Sequence, residues 1–437
     1  MTERDKKFEA FVKSDLEDNR GLIINQYKEV ISIMNNPTEM EQFRQSYLTN
    51  MLMYVTRHSE FYKKYEGFKS INDFPVVNKE ILKKNWDRVF VDEFRNRTDN
   101  KEKRTSGSTG TPFQVYWDRR KHCRMIADAK WFAHQGGVES HERIVCMIVN
   151  EKGDRSPLEK QQRDNVYNIY CSYFDDDSIE RILKELSDLN PKMIIAYSSM
   201  WDAVANYIFE GKAPAYQFAL TSIMSEAEGL KERTREIISD YFGCPVYSRY
   251  GNEECGTLAQ EDGSEFGHRL NTASYYIEVL SLNNDEPVED GKIGRVVITD
   301  LFNYAFPIIR YENGDLATKI TTADGRVYLK DVIGRKVDML YTTDGRMLNW
   351  LHALIFLKKY KDIKQFQIVQ ETRYNFTWVL NTKNHGYEDL ILSEAQEIFG
   401  KDSRHVFKYV EEIPKLRSGK TQMTVCKIDP HKEFGDQ

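Results

Sequence analysis

The chain has 437 residues, too many for one small domain, and two to three units of about 150 residues fit that length. Hydrophobic residues make up 40% and aromatics 12%, which supplies a large core and excludes an intrinsically disordered chain. The 62 basic residues against 68 acidic give a net charge of −6, which excludes a broadly basic nucleic-acid-binding surface, and no apolar run reaches the ~18 residues that span a bilayer.

The first ~70 residues read as a helical leader. Phe8, Phe11 and Val12 recur at helical spacing, and Tyr47, Leu48, Met51, Leu52, Tyr54 and Val55 do so again. The N-terminal stretch is charged and has no apolar core of the signal-peptide kind, so a cytoplasmic location is expected. Arg143–Val149 is an apolar run of strand length. Ser178–Asn190 places Ile179, Ile182, Leu183, Leu186 and Leu189 on one helical face, and Pro191 stops it. Lys192–Tyr197 is a predicted buried strand, Met200–Glu210 a helix with Gly211 as its left-handed cap, and Phe218–Met224 a strand. Leu230–Phe242 is a helix closed by Gly243, and Pro245–Arg249 the next strand. Strands and helices alternating at this spacing imply right-handed crossovers and a parallel sheet.

Beyond Gly256 the texture turns β-rich, with strands at Ser274–Leu280 and Gly294–Thr299 and an antiparallel character. The last ~100 residues suggest a second, α+β domain. A hairpin turns at Asp344-Gly345, and Leu351–Tyr360 and Tyr387–Phe399 are helical. Strands fall at Gln365–Val369, Phe376–Leu380, His405–Val410 and Thr421–Ile428. The boundary is placed at 335/336, giving domains 1–335 and 336–437. The six cysteines (Cys123, Cys146, Cys171, Cys244, Cys255 and Cys426) form no CxxC pair, so buried free thiols are expected rather than disulfides or a zinc knuckle.

Five motifs carry the chemistry. Thr105–Pro112, TSGSTGTP, packs two glycines and five hydroxyls into eight residues, and such a run can donate main-chain N–H and hydroxyl groups to phosphate oxygens. No Gly-Lys-Ser/Thr follows, so it is not a Walker A loop. Tyr250-Gly251-Asn252-Glu253-Glu254-Cys255-Gly256 follows a predicted strand, where ligands of open α/β sheets sit and a carboxylate can hold Mg²⁺. Tyr311-Glu312-Asn313-Gly314-Asp315 offers a carboxylate suited to ribose hydroxyls. Gly334-Arg335-Lys336-Val337-Asp338 offers an arginine fork, and Pro414–Lys420 ends in a lysine after Ser-Gly. Taken singly, each also suits an ordinary polar loop or turn.

In this order and at these separations the five motifs resemble the adenylate-forming superfamily of acyl-CoA synthetases. The resemblance is strongest to the phenylacetate–CoA ligase family and its adenylating branch from capsular-polysaccharide clusters, and Phe61–Leu82 and Phe366–Gln370 share it. It implies a large N-terminal α/β domain with mainly parallel sheets plus a β-rich segment, and a small mobile C-terminal domain. It also implies that Thr105, Ser106, Gly107, Ser108, Thr109 and Gly110 hold the ATP phosphates, and that Ser225, Glu226 and Ala227 line the adenine pocket beside Tyr250 and Gly251. Glu254 matches the Mg²⁺ carboxylate and Asp315 the ribose carboxylate. Arg335 matches the junction arginine, and Lys420 the lysine that bridges carboxylate and α-phosphate.

Two positions depart from the family pattern. Glu253 stands where a threonine is usual, beside the metal-site acid. Val337 replaces the first of two consecutive aspartates at the usual hinge, which bears on the second half-reaction rather than the first. The implied activity is ATP- and Mg²⁺-dependent conversion of a small carboxylic acid to an acyl adenylate, with CoA as acceptor. An amine in polysaccharide decoration and adenylyl transfer to a hydroxyl are the alternatives. No nucleic acid and no membrane insertion are expected, and sequence patterning is silent on oligomeric state. Trp131, His134, Tyr197, Met224 and Tyr250 are candidates to line the acid's pocket.

Overall fold

The structure is a computed structural model. It describes residues 2–104, 113–148, 156–171, 176–227, 229–333, 340–345, 347–348, 360, 362–413, 424–428 and 433; the side chains of 37–39 and 347–348 are not among those described. The chain divides into two compact units. The first holds most of the chain up to Asp331, and the second holds residues 313–316 and the chain from Val332 onward.

The N-terminal leader is three helices, Glu3–Asn19, Leu22–Asn35 and Pro37–His58. Thr2 and Asp5 cap the first reciprocally, each side chain accepting the other's backbone N–H. The buried Asp15 carboxylate accepts from the backbone N–H groups of Ile23 and Ile24 at 3.3 and 3.0 Å, satisfying donors at the start of the second helix.

The first unit is organised around one twelve-stranded mixed sheet. Its path runs Tyr275–Leu280, Ile293–Asp300, Tyr311–Thr321, Val327–Ile333, His268–Leu270, Gly256–Glu261, Val246–Asn252, Ser222–Glu226, Met193–Tyr197, Ile144–Ile148 and Val166–Tyr170, with Val77–Asn78 beside the Tyr311 strand. The last five strands are mutually parallel, as the alternation of strand and helix implies. The β-rich segment does not form a separate sheet. It continues the parallel one through the antiparallel pairing of Val246–Asn252 with Gly256–Glu261. Sequence patterning missed the edge strand Val166–Tyr170, and Phe218 lies before the Ser222–Glu226 strand rather than in it.

Helices Asp176–Leu189, Ser198–Phe209 and Glu232–Phe242 pack on one face of the parallel half. Ile179, Ile182, Leu183 and Leu186 are buried there with Trp201 and Phe242. Each such side chain contributes ~1.5–3 kcal/mol on burial. Helix Arg119–Gln135 buries Trp131, Phe132 and Ala133. All six cysteines are free thiols, and among the described residues no helix is long and apolar enough to cross a membrane.

The second unit contains a four-stranded sheet in the order Arg404–Tyr409, Asn375–Asn381, Gln365–Gln370 and Thr424–Cys426, packed on helix Glu388–Phe399. Leu340–Tyr341 and Met347–Leu348 form the expected hairpin. The expected helix Leu351–Tyr360 lies, apart from Tyr360, outside the described residues.

Candidate functional site

The site is assembled at the carboxyl ends of two neighbouring parallel strands. Ser222–Glu226 delivers Ser225 and Glu226, and Ala227 follows with a left-handed φ of 68°. Val246–Asn252 delivers Tyr250 and Gly251. The acidic motif is therefore the hairpin that converts the parallel half of the sheet into the antiparallel half. Pairing slips between Tyr250 and Gly251, a bulge that turns the strand out of its ladder. A Cβ on Gly251 would lie 2.5 Å from the carbonyl oxygen of Gly256, and Gly256 itself has φ 101°, so both positions require glycine. Asn252 Oδ1 accepts from the Cys255 N–H at 2.8 Å and closes the turn.

The two adjacent acids have different surroundings. Glu254 is buried; Tyr311 OH donates to its Oε1 at 3.0 Å, and Trp117 Nε1 donates to its main-chain carbonyl at 2.8 Å. Glu253 is 59% exposed and lies 3.8 Å from Lys103 Nζ, which itself sits over the Trp117 ring at 4.6 Å. Beneath the hairpin runs a chain of buried polar groups. Lys121 and Asp300 form a fully buried ion pair at 2.6 Å, Lys121 donates to Tyr275 OH at 2.8 Å, and Tyr275 OH donates to the Cys255 carbonyl. Burial pushes the Tyr275 phenol and the Cys255 thiol well up, so both stay protonated.

A second polar row crosses the sheet at the same end. Tyr197, Glu226, Arg249 and Gln260 are successive cross-strand partners and so share one face. Ser225, on the opposite face, is buried and shares a 2.6 Å hydrogen bond with Ser198. Asp315 is on the Tyr311–Thr321 strand, where its carboxylate accepts from Asn313 Nδ2 at 2.6 Å and its N–H donates to Asn313 Oδ1 at 3.1 Å.

Of the residues expected at the site, the fold thus brings Ser225, Glu226, Ala227, Tyr250, Gly251 and Glu254 to one edge. Thr105, Ser106, Gly107, Ser108, Thr109, Gly110, Arg335 and Lys420 lie outside the described residues, as does Val337. Two candidate pocket residues are corrected. Trp131 and Met224 are core side chains, 1% and 0% exposed, packed among apolar neighbours. His134 pairs with Glu139 at 3.0 Å, while Tyr197 is 40% exposed at its strand end. Sequence reasoning missed the support from Tyr311 and Lys121 and the buried cation Arg249. Tyr311 stood inside a recognised motif, so its hydroxyl was a readable signal; the Lys121–Asp300 pairing has none in sequence.

Residues 340–427 match the model of the CapK C-terminal domain. Over 436 residues the chain is 23% identical to protein CapK of Staphylococcus aureus, covering 92% of each chain. It is 26% identical over 168 residues to a phenylacetate-coenzyme A ligase of Thermus thermophilus, covering 37% of this chain and 38% of that one. A solved 2-hydroxyisobutyryl-CoA ligase, in its postadenylation state with 2-HIB-AMP, superposes with a TM-score of 0.66 at 19% identity, covering 90% of this chain and 89% of that one. The resemblance carried by the motifs is borne out: the chain is homologous to CapK and to a phenylacetate–CoA ligase, and it has the fold of the adenylate-forming ligases.

Proposed function

We propose that this chain, as a homologue of CapK and of a phenylacetate–CoA ligase, is an acid ligase that spends ATP to form an acyl adenylate with release of pyrophosphate. The acyl group then passes to CoA as a thioester. The observation that carries the reading is the convergence of Ser225–Ala227, Tyr250–Gly251 and buried Glu254 at the carboxyl edge of the parallel sheet, in a chain of adenylate-forming fold.

The chemistry follows from charge. A carboxylate is a poor electrophile, and its attack on the α-phosphorus concentrates negative charge on phosphate oxygens. Positioned cations and hydrogen-bond donors lower that barrier without covalent help from the protein. Thr105–Gly110 supplies the donors, Lys420 a point charge between carboxylate and α-phosphate, and Asp315 the ribose anchor. Arg335 adds a planar fork. Tyr250 and Gly251 border the adenine, and the bulge lets backbone approach it closely.

Glu254 suits Mg²⁺. Among the described residues no three His, Cys, Asp or Glu gather into a metal cage. Mg²⁺ characteristically takes one or two carboxylates and fills its remaining positions with phosphate oxygens and water. Glu254 would hold the ion, and the chemistry it would supply there is charge neutralisation on the nucleotide. Tyr311 holds the Glu254 carboxylate in one orientation, and the Lys121–Tyr275 chain fixes the backbone of the hairpin that carries it.

A second acceptor is favoured by one observation, the similarity to CapK over 92% of the chain. In that reading an amine on a sugar or amino acid takes the acyl group in polysaccharide decoration. Pyrophosphate release with Mg-ATP across a panel of carboxylic acids, with and without CoA, tests both. Acid-dependent release stimulated by CoA supports the thioester. Acid-dependent release indifferent to CoA and stimulated by an amine supports the amide. An AMP-modified product that resists hydroxylamine contradicts carboxylate activation.

A further inference from the structure

Arg249 is an unusual residue to find in the middle of a core strand, Val246–Asn252. Its side chain is only 10% exposed, and it stands in the cross-strand row with Tyr197, Glu226 and Gln260. Its guanidinium is held in a fixed orientation. Nε and Nη2 both donate to Gln260 Oε1, at 3.1 and 2.9 Å, and Gln260 is itself pinned by donating to the Phe132 carbonyl at 2.9 Å. That partner is neutral. The carboxylate in reach, Glu226 Oε2, stands 3.5 Å from Nη1. A well-made guanidinium–carboxylate bond is ~2.7–2.9 Å and is often bidentate. The Nη1 end is therefore weakly engaged, by an acid that is itself 33% exposed. Burial outweighs the attraction of Glu226 and the nearby Cys146, and it lowers the guanidinium's pKa below the usual arginine range. A desolvated cation aimed by a neutral amide toward the ligand-bearing edge of a sheet is a preorganised anion receptor.

We propose that Arg249 selects the acid, and that the substrate is a carboxylic acid bearing a second anionic group, which pairs with the Nη1 side of Arg249 while its other carboxylate is activated. The inference rests on the acid-ligase reading above, and it names the substrate class of that same site. Glu226, at the solvent side of the row, gives way to the incoming anion and screens the cation when the site is empty. An apolar aryl acid leaves Arg249 buried without a close anionic partner and is disfavoured. A site built around a buried polar group typically rejects a ligand lacking the complement by a factor of ~10⁴, against ~10² for a missing methylene.

The test is acid-dependent pyrophosphate release by the full chain with Mg-ATP on two matched sets. One set is dicarboxylates, succinate and glutarate; the other is apolar monocarboxylates of similar size, butyrate, benzoate and phenylacetate. The wild type is expected to prefer the dicarboxylates in kcat/KM by at least ~100-fold. Arg249→Leu is expected to lower that preference by ~100-fold, mostly through KM, and Arg249→Lys to restore part of it by returning the charge without the fork. Preference for the monocarboxylates in the wild type overturns the inference and leaves the ligase reading standing. So does an unchanged ranking in a folded Arg249→Leu chain, which assigns the residue a purely structural role. Silence on every acid overturns both. If Arg249→Leu does not fold, the wild-type ranking and Arg249→Lys decide the matter.

Discussion

Burial divides Glu253 from Glu254 although they are adjacent in sequence. Glu254 is held under Tyr311, while Glu253 faces outward near Lys103. If Glu254 is the acid that meets the metal, Glu254→Gln cuts acid-dependent pyrophosphate release by ~10²-fold or more, the range seen when a single electrostatic stabiliser is lost. Glu253→Gln stays within a few-fold of wild type. Equal losses in the two variants would remove the distinction. The family pattern singles out Glu254 as the candidate acid in sequence, and packing shows that Glu253 turns away.

His405 gives a pH prediction in the second unit. It accepts from Trp378 Nε1 at 2.9 Å and contacts Ser403 Oγ at 2.8 Å, and desolvation lowers its pKa from 6.5 to about 4. The folded state binds the proton less readily than the unfolded chain. Stability is therefore intact above pH ~6.5 and is lost as pH falls toward ~4, by up to ~3 kcal/mol. Thermal unfolding at pH 7 and pH 4.5 should show a larger drop for wild type than for His405→Gln. Identical drops in the two chains would place the pH sensitivity elsewhere.

Among the elements, the hairpin between Val246–Asn252 and Gly256–Glu261 carries the candidate site, and its stability comes from groups distant in sequence. Lys121 leaves helix Arg119–Gln135 to meet Asp300 at the end of an antiparallel strand, and Tyr275 passes the connection to the hairpin's own carbonyl. Breaking one half of a buried pair strands the other charge. Lys121→Met should destabilise the chain by ~3–5 kcal/mol, and Lys121→Met with Asp300→Asn should recover part of it. Denaturant unfolding of the single and double variants measures the coupling; a double variant no better than the single denies it. Gly251→Ala forces a Cβ against the Gly256 carbonyl and should cost ~1–3 kcal/mol, with activity falling as the hairpin shifts.

The helices and strands of the parallel half were legible because their signals are local. Ile179, Ile182, Leu183 and Leu186 mark a helix by spacing alone, and KMIIAY marks a buried strand by its apolar run. Phe218 misled for the same reason: an apolar residue before a strand can pack on the core without joining the ladder. That the β-rich segment extends the parallel sheet was not legible, since strand order is set by long-range pairing. Arg249 escaped notice because its significance lies in a cross-strand row that no sequence period displays.

For the whole molecule, order along the chain was the strongest signal. Five short motifs, each ordinary alone, together pointed to the adenylate-forming ligases; the chain is similar to CapK over 92% of its length and has the fold of those ligases. The reaction is a proposal built on that frame, and its first half can be isolated. Adenylate formation is reversible, so an enzyme holding acid and ATP exchanges labelled pyrophosphate into ATP without any acceptor. The decisive measurement is that exchange with Mg²⁺, run with and without a panel of acids that includes dicarboxylates, in wild type and Lys420→Ala. The account predicts acid-dependent exchange in the wild type and its near loss in a folded Lys420→Ala chain. Exchange independent of any acid, or undiminished without Lys420, would contradict it.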